Sequence, residues 1–288
     1  MQKRENQYGA RWYQVGDREL PSVTTILQVI SKPALTAWSA KVEREMVTSA
    51  SADLYEDIHG TPRMSRSAYL ITLRNRLGLQ KAHVKELAKA SDIGSQAHAL
   101  IEWTMRTQLM QKCGPSPRIT DAAQWAFMAW EDWRKTVNLK PVCIEQVVFS
   151  ENYGYAGTLD LLAEVEGVLT VVDWKTGKAV YSEAHLQNAA YRQAIREMGH
   201  GDPKQGLIVR LPKVETDPNF EVVAAKPENL MFPKFLDAMS VWQWQQEMEA
   251  EYQAKKPKEP MTATPDDQLE QQLRDSIAAA EKPSLADA

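Results

Sequence analysis

The sequence predicts a mixed α/β fold, and three observations carry that prediction. Two runs of β-branched and aliphatic residues, at 155–165 and 168–174, flank Glu166-Gly167, which indicates a β-hairpin. A helical pattern at 120–137 precedes the hairpin, and another begins at Ser182. Strands that alternate with helices in this way are typical of the α/β class.

The segment ahead of residue 120 is predicted to be mainly helical. Pro21-Ser22 offers an N-cap for a helix that begins at Val23, and Pro33 suits the first turn of the next helix. Asp92 is expected to cap the helix that carries His98. In order, the patterns predict a strand at 8–15, helices from Val23 and Pro33, a polar helical insertion at 49–81, helices from Asp92 and at 120–137, and a strand at 142–149.

These patterns divide the chain into three parts. Residues 1–90 are expected to hold a strand, helices and a basic insertion, and residues 91–254 the α/β core with a C-terminal helix. Residues 255–288 lack the apolar pattern needed to pack, so we expect a disordered acidic tail. Beyond the hairpin, the core is predicted to continue as a helix from Ser182, strands at 206–211 and 220–224, and a helix at 227–252.

Composition limits the class of protein. A chain of 288 residues with 43% hydrophobic residues can bury a substantial core. Cys113 and Cys143 are too few for a disulfide framework or a four-thiolate cluster. The N-terminus lacks the apolar region of a signal peptide, and no apolar run reaches membrane-spanning length. We therefore expect a soluble cytoplasmic protein without membrane partners.

The charge is unevenly distributed. The net charge is −4, and the segment from Thr262 onward accounts for all of it, with six acidic residues against two basic ones. Residues 60–90 carry seven basic residues against Glu86 alone, a local +6, and these include Arg74, Arg76 and Lys81. This patch is either a phosphate-contacting surface or a solvated helix face.

The hairpin places two carboxylates together. If Glu166-Gly167 is the turn, Asp160 lies opposite Asp173, with Cβ atoms about 5 Å apart. At an effective dielectric constant of ~20, such carboxylates repel by about 3 kcal/mol, and a divalent cation would turn that penalty into a binding site. Lys175 projects from the same face. A four-residue loop from Val165 to Val168 keeps this pairing, whereas a three- or five-residue loop would leave two unrelated carboxylates.

Two helices add polar pairs at a spacing of four residues. His98 and Glu102 can point at one target, although a single histidine beside an apolar stripe is usually structural. Gln187 and Tyr191 likewise present an amide and a phenol on one face.

Taken in order, these motifs resemble those of the PD-(D/E)XK nuclease superfamily, and more narrowly its RecB-like branch. The sequence Val23-Thr24-Thr25-Ile26-Leu27 also resembles the N-terminal helix of the mitochondrial genome maintenance exonuclease type. The resemblance implies a restriction-endonuclease-like αβββαβ core with an N-terminal helical extension that arches over the site. The matching residues are Gly94, His98 and Glu102; Gly157 and Asp160; Asp173, Lys175 and Thr176; Gln187 and Tyr191.

The resemblance also implies a role for each residue. Lys175 would orient the attacking water or stabilise transition-state charge, and Glu102 would support His98 or a metal-bound water. Gln187 and Tyr191, with Thr176, Arg74, Arg76 and Lys81, would hold the substrate or the lysine. Mg²⁺ or Mn²⁺ would be bound by His98, Asp160, Asp173 and the main-chain carbonyl of Trp174.

The implied function is a metal-dependent DNA exonuclease that hydrolyses phosphodiester bonds from free ends and prefers single strands. Two cysteines argue against the iron-sulfur subgroup of this branch. The sequence has no GKT/S phosphate loop, so a helicase or a single-strand annealing or binding protein would be a separate partner. A phage-type exonuclease that resects duplex ends, or a non-catalytic adaptor for DNA ends, are the alternatives. We expect a bacterial or phage origin.

Overall fold

The computed structural model describes residues 3–5, 10–58, 65–78, 80–217 and 219–255. The predicted acidic tail and part of the basic insertion lie outside these ranges. The helices and strands are β1 Lys3–Glu5, β2 Arg11–Val15, β3 Arg18–Pro21, α1 Val23–Ile26 with a 3-10 turn at Leu27–Val29, α2 Pro33–Ile58, α3 Arg66–Leu77, α4 Ala82–Gln108, α5 Asp121–Lys135, β4 Leu139–Ser150, β5 Tyr155–Val165, β6 Val168–Thr176, α6 Ser182–Glu197, β7 Gln205–Leu211, β8 Glu221–Ala224 and α7 Glu228–Lys255.

The chain forms two compact units. The first contains Met1–Pro33 and Glu86–Gln246, and the second contains Ala34–Lys85 and Glu247–Ala288. The predicted candidate metal and catalytic residues all belong to the first unit, whereas Arg74, Arg76 and Lys81 belong to the second.

A five-stranded sheet in the order β4-β5-β6-β7-β8 organises the first unit. Strands β4, β5 and β6 form an antiparallel meander, and β7 pairs with β6 in parallel. A parallel neighbour requires a crossover connection, which here contains α6. The mixed α/β prediction is confirmed, including the αβββαβ order of α5, β4 to β6, α6 and β7.

The central hairpin has the predicted register. Val165 pairs with Val168, and the turn residues Glu166 and Gly167 have φ values of 50° and 80°. Positive φ at both positions is the type I′ geometry whose twist suits a two-residue hairpin. Because side chains alternate along a strand, this register fixes which residues of β5 and β6 share a face.

Each face of the sheet is covered by helices. On one face, α4 and α5 contribute to a core in which Trp130 and Trp133 are fully buried and both make edge contacts with Trp174. On the other, α1, α6 and α7 pack around Tyr155 and Phe235. The sheet is therefore buried on both sides, which restricts the positions of the side chains on its interior strands.

Two boundaries predicted from sequence are wrong. Helix α4 begins at Ala82, so Asp92 lies inside the helix and accepts a hydrogen bond from Gln96 instead of capping it. Helix α2 continues to Ile58, through residues assigned to the insertion. Residues 49–58 and 82–92 contain neither Gly nor Pro, so no strong local signal interrupts the two helices.

The second unit is helical in its described part. Glu43 of α2 accepts hydrogen bonds from the backbone N–H and from Nδ1 of His83 at the start of α4, at 3.1 and 2.6 Å. Arg76 of α3 pairs with Asp57 of α2. Across the described ranges, no helix combines the length and the apolar character needed to cross a membrane.

Candidate active site

A cavity of about 690 Å³ in the first unit is lined in part by residues of the interior strands β5 and β6. Helix α4 contributes His98, strand β5 Asp160, strand β6 Lys175, and helix α6 Gln187 and Tyr191. The structure thus brings together residues that are up to 93 positions apart in sequence. The antiparallel meander and the crossover helix bring them to one cavity.

Three possible metal ligands converge within this cavity. One ligand atom from each of His98, Glu145 and Asp160 lies within 4.8 Å of the others. His98 Nδ1 is 3.4 Å from Asp160 Oδ1, while Asp160 Oδ2 accepts a 2.7 Å hydrogen bond from the backbone N–H of Trp174. That hydrogen bond fixes one carboxylate oxygen and leaves the other directed at the histidine.

Glu145 is the residue that sequence reasoning missed. It lies on β4 between the pairs Ile144↔Leu161 and Gln146↔Leu159, so it stands across from Asp160. Its φ of 47° is in the left-handed region that non-glycine residues rarely adopt. An acidic residue in the neighbouring strand was the available signal, but the register of β4 could not be fixed from sequence because residues 151–154 form a longer turn.

Asp173 and Lys175 form a buried ion pair beside this group. Lys175 Nζ lies 2.6 Å from Asp173 Oδ2, and the aspartate side chain is only 2% exposed. Lys175 also donates a 2.9 Å hydrogen bond to Gln187 Oε1, and Gln187 Nε2 donates to Tyr191 Oη at 3.1 Å. The ammonium group is consequently held between β6 and α6 by a continuous hydrogen-bonded chain.

The two aspartates have opposite pKa shifts. Burial raises the pKa of Asp173 to about 6, against the attraction of Lys175 and with added repulsion from Asp160. Burial also disfavours ionised Asp160, but His98, Lys175 and the Trp174 N–H outweigh it and lower the pKa of that carboxyl. Without a cation, the structure stabilises the ionised form of Asp160 and destabilises that of Asp173.

The cationic groups respond to the same charges. Burial lowers the pKa of His98, but the nearby carboxylates of Asp160 and Glu145 outweigh it, and the net shift is upward. The pKa of Lys175 is also raised, because Asp173 and Asp160 overcome the effect of burial. The neighbouring carboxylates thus favour the protonated form of Lys175, which can donate hydrogen bonds.

Two glycines allow the helices to approach the strands. A Cβ on Gly94 of α4 would lie 2.8 Å from Thr176 Oγ1, and one on Gly157 of β5 would lie 2.6 Å from Tyr191 Cε1. Both distances are shorter than van der Waals contact, so any side chain would force a neighbour to move. These glycines are needed for close packing, not for a special φ angle.

Gly157→Ala is expected to displace Tyr191, to lower the free energy of unfolding by about 1–3 kcal/mol and to reduce activity about tenfold. The physical reason is that the added Cβ would overlap with the ring of Tyr191. The hydroxyl of Tyr191 accepts a hydrogen bond from Gln187, which in turn accepts one from Lys175. Denaturant unfolding and hydrolysis rates measure the two effects. Gly177→Ala is the matched control, because a Cβ there meets no atom within 4 Å. Wild-type behaviour of Gly157→Ala would contradict this role for Tyr191.

Of the remaining predicted residues, Glu102 and Thr176 line the cavity, whereas Trp174 is not among its lining residues. Glu102 lines the cavity, but its carboxylate accepts a 2.7 Å hydrogen bond from Arg106, which also donates to the carbonyl of Ile144. Thr176 lines the cavity next to Gly94. Trp174 lies in β6, where it pairs with Val209 of β7.

A family model described as the PD-(D/E)XK nuclease superfamily matches residues 116–286, more than half of the chain. Among solved structures, a protein from Eubacterium rectale that is provisionally described as an exonuclease is 15% identical, with 66% of this chain and 80% of that chain covered and a TM-score of 0.35. An alkaline exonuclease from Laribacter hongkongensis is 11% identical, with coverages of 56% and 83% and a TM-score of 0.32. No curated protein matches the sequence. By the extent of the family match, the chain belongs to the PD-(D/E)XK nuclease superfamily.

Proposed function

We propose that this nuclease is a Mg²⁺- or Mn²⁺-dependent DNA exonuclease, which hydrolyses phosphodiester bonds from free ends and prefers single strands. The observation that carries the proposal is the convergence of His98, Glu145, Asp160 and Lys175 in one cavity, with the buried Asp173 paired to Lys175. Carboxylates and an imidazole on one side and an ammonium group on the other suit a metal-assisted attack on a phosphate.

The donor set fits a hard divalent cation. Ligand atoms that lie within 4.8 Å of one another can share one ion at bond lengths of about 2.0–2.6 Å. Carboxylate oxygens suit Mg²⁺, and the imidazole nitrogen favours Mn²⁺ somewhat. Divalent metals are the cofactors of this superfamily. His98, Asp160 and Glu145 would hold the ion, with Asp173 and the carbonyl of Trp174 as the other predicted ligands.

When bound, the cation would act as a Lewis acid and lower the pKa of a coordinated water. The side chains of the protein supply the rest. Lys175, fixed by Asp173 and Gln187, would donate a hydrogen bond to the phosphate oxygen that gains charge or to the attacking water. Tyr191 would keep Gln187 in place, and Glu102 would act through its position near His98.

The narrower assignment to the RecB-like branch and the mitochondrial exonuclease type rests on the motifs. Helix α1 supports this assignment best. Ser22 caps the helix by accepting a hydrogen bond from the backbone N–H of Thr25, and Thr24 lines the same cavity as His98 and Asp160. The resemblance to end-directed enzymes of that type favours an exonuclease. Bacterial or phage origin, cytoplasmic location, a role in repair or recombination, and a helicase or single-strand binding partner belong to the same proposal.

A time course on end-labelled DNA tests the proposed function. Linear single-stranded, linear duplex and circular substrates are compared in Mg²⁺ and Mn²⁺, with the 5′ and 3′ ends blocked in turn. Fast release of nucleotides from linear single strands, and slow cleavage of circles, are expected. Preferred digestion of duplex ends would instead favour a resecting exonuclease, and binding without hydrolysis would favour an adaptor.

Arg74→Ala/Arg76→Ala is expected to weaken binding to single-stranded DNA and to reduce its salt dependence. Each lost phosphate contact removes about 0.7 from the slope of log K against log salt concentration, so the double variant should lose about 1.4. To contact a phosphate, Arg76 would have to give up its ion pair with Asp57. Fluorescence anisotropy at several salt concentrations measures the slope, with exposed Lys140→Ala as control. An unchanged slope would exclude these arginines from the DNA contact.

A further inference from the structure

Lys213 lines the candidate active-site cavity but belongs to none of the sequence motifs. It lies two residues after the end of β7, and its side chain is half-buried. Its Nζ donates a 2.5 Å hydrogen bond to the carbonyl oxygen of Ala90 in α4. An ammonium group has three N–H donors, so two of them are still available to an acceptor in the cavity.

The positive charge of Lys213 has no counter-charge. Burial alone lowers the pKa of its ammonium group, and no acidic residue in the described part of the chain contributes to the shift. Lys175 differs in this respect, because it is paired with Asp173 and the nearby carboxylates raise its pKa. A partly buried cation without a counter-charge is unfavourable, and an anion that enters the cavity would relieve this cost.

A hydroxyl group lies beside this cation. Thr176 Oγ1 and Lys213 Nζ lie 2.8 and 3.9 Å from the point that a Cβ of Gly94 would occupy. Thr176 also lines the cavity, and its hydroxyl has no hydrogen-bond partner among the residues that the structure describes. Lysine and threonine side chains are common donors to phosphate oxygens. The pair therefore suits a phosphate that accepts from both groups.

The position along α4 separates this pair from the metal ligands. Gly94 precedes His98 by four residues, and residues at this spacing have Cβ positions about 5–6 Å apart on one face of a helix. Ala90, which Lys213 contacts, lies a further turn away from His98. A strand bound with its cleaved phosphate at the metal ligands can thus place another phosphate at Lys213.

We propose that Lys213, together with Thr176, binds the phosphate next to the one that is cleaved. This inference rests on the proposed function, since a nucleic acid supplies the second phosphate. The hydrogen bond to Ala90 holds the ammonium group in position and leaves its charge available to the substrate. Lys213 is in this view a substrate-binding residue, and the enzyme recognises at least two successive phosphates of a strand.

A cycle that removes the charge from the protein, from the substrate, or from both tests the proposal. The protein change is Lys213→Gln. The substrate change is one neutral methylphosphonate linkage, moved through a single-stranded oligonucleotide one linkage at a time. Fluorescence anisotropy in chelator measures the dissociation constants. At one linkage next to the cleaved one, the neutral group should weaken binding about tenfold to the wild type but less than about twofold to Lys213→Gln.

Kinetics separate phosphate binding from a structural role. Lys213→Gln should raise KM for an oligonucleotide about tenfold with little change in kcat, because a binding contact is lost. KM for a dinucleoside monophosphate should change less than about twofold, because this substrate contains only the cleaved phosphate. Lys213→Arg, which keeps the charge, should restore most of the loss. Lys140→Gln, an exposed lysine outside this cavity, is the matched control.

Equal effects of the neutral linkage on the wild type and on Lys213→Gln, at every linkage, would overturn the proposal. An equal rise in KM for both substrates would also overturn it, because Lys213 would then only tie the loop after β7 to α4. If Lys213→Gln does not fold, Thr176→Val supplies the same cycle with an expected coupling of about threefold, and additive effects there would overturn the proposal. A wild type that shows the coupling in chelator but hydrolyses no DNA would instead refute the proposed function.

Discussion

Asp173→Asn is expected to reduce DNA hydrolysis by about 10³-fold and yet to make the metal-free protein more stable. The loss of activity follows from removing a carboxylate that holds Lys175 and is a predicted ligand of the cation, since several kcal/mol of transition-state stabilisation depend on such groups. Hydrolysis rates at saturating Mn²⁺, with Lys175→Ala as a companion variant, measure this part.

The gain in stability follows from the raised pKa of Asp173. Its value of about 6, compared with the usual 3.8, means that the folded protein binds this proton more tightly than the unfolded chain. The contribution of the group to stability is therefore complete below pH 3.8 and is lost as the pH rises to about 6. Asparagine has no such loss, and its amide oxygen can still accept a hydrogen bond from Lys175.

Melting temperatures of the wild type and Asp173→Asn, measured in chelator and in Mn²⁺, test whether the substitution stabilises or destabilises the protein. Above pH 6 in chelator, Asp173→Asn should melt several degrees higher than the wild type. In Mn²⁺ the wild type should gain more, because a cation that binds only the folded protein stabilises it by mass action. A lower melting temperature for the variant in chelator would show that the ionised carboxylate stabilises the fold, and retained activity would reject the site.

The hairpin could be predicted from sequence because its signals are local. Alternating strands around Glu166-Gly167 determine the register, and the register places Asp160 and Asp173 near the end of the pairing. The charge of Asp160 contributes to the raised pKa of Asp173, although burial is the larger cause. The fold class and the superfamily, both predicted from sequence, are confirmed. The roles of the individual residues stay predictions.

Other features depend on non-local packing and could not be predicted. The N-terminal strand prediction found β2, but not its partners β1 and β3, because short edge strands carry little periodicity. The start of α4 was predicted ten residues too late, at Asp92. An aspartate in the interior of a helix cannot be distinguished from an N-cap aspartate by residue type alone. Glu145 was missed because only the tertiary register of β4 shows what it faces.

Glu145→Gln is expected to raise the Mn²⁺ concentration for half-maximal activity by about 10–100-fold, with much of the activity restored at saturating metal. Removing one negative ligand weakens the affinity of a carboxylate site but leaves His98, Asp160 and Lys175 in place. Activity as a function of metal concentration measures the effect, and Glu164→Gln, an exposed glutamate on β5, is the control. Lost activity with unchanged metal dependence would show that Glu145 acts on something other than the cation.

The backbone of Glu145 supports the same assignment through stability. A glutamate with φ of 47° stores about 1–3 kcal/mol of strain, which glycine would release. Glycine also increases the entropy of the unfolded chain, at a cost of about 0.5–1 kcal/mol. Glu145→Gly should therefore lose metal affinity without losing stability, whereas Glu164→Gly, where φ is not positive, should lose about 1 kcal/mol. At this φ angle glycine would be the more stable residue, so a need for the carboxylate as a metal ligand would explain why a glutamate is present. An equal loss of stability in Glu145→Gly and Glu164→Gly would refute that interpretation.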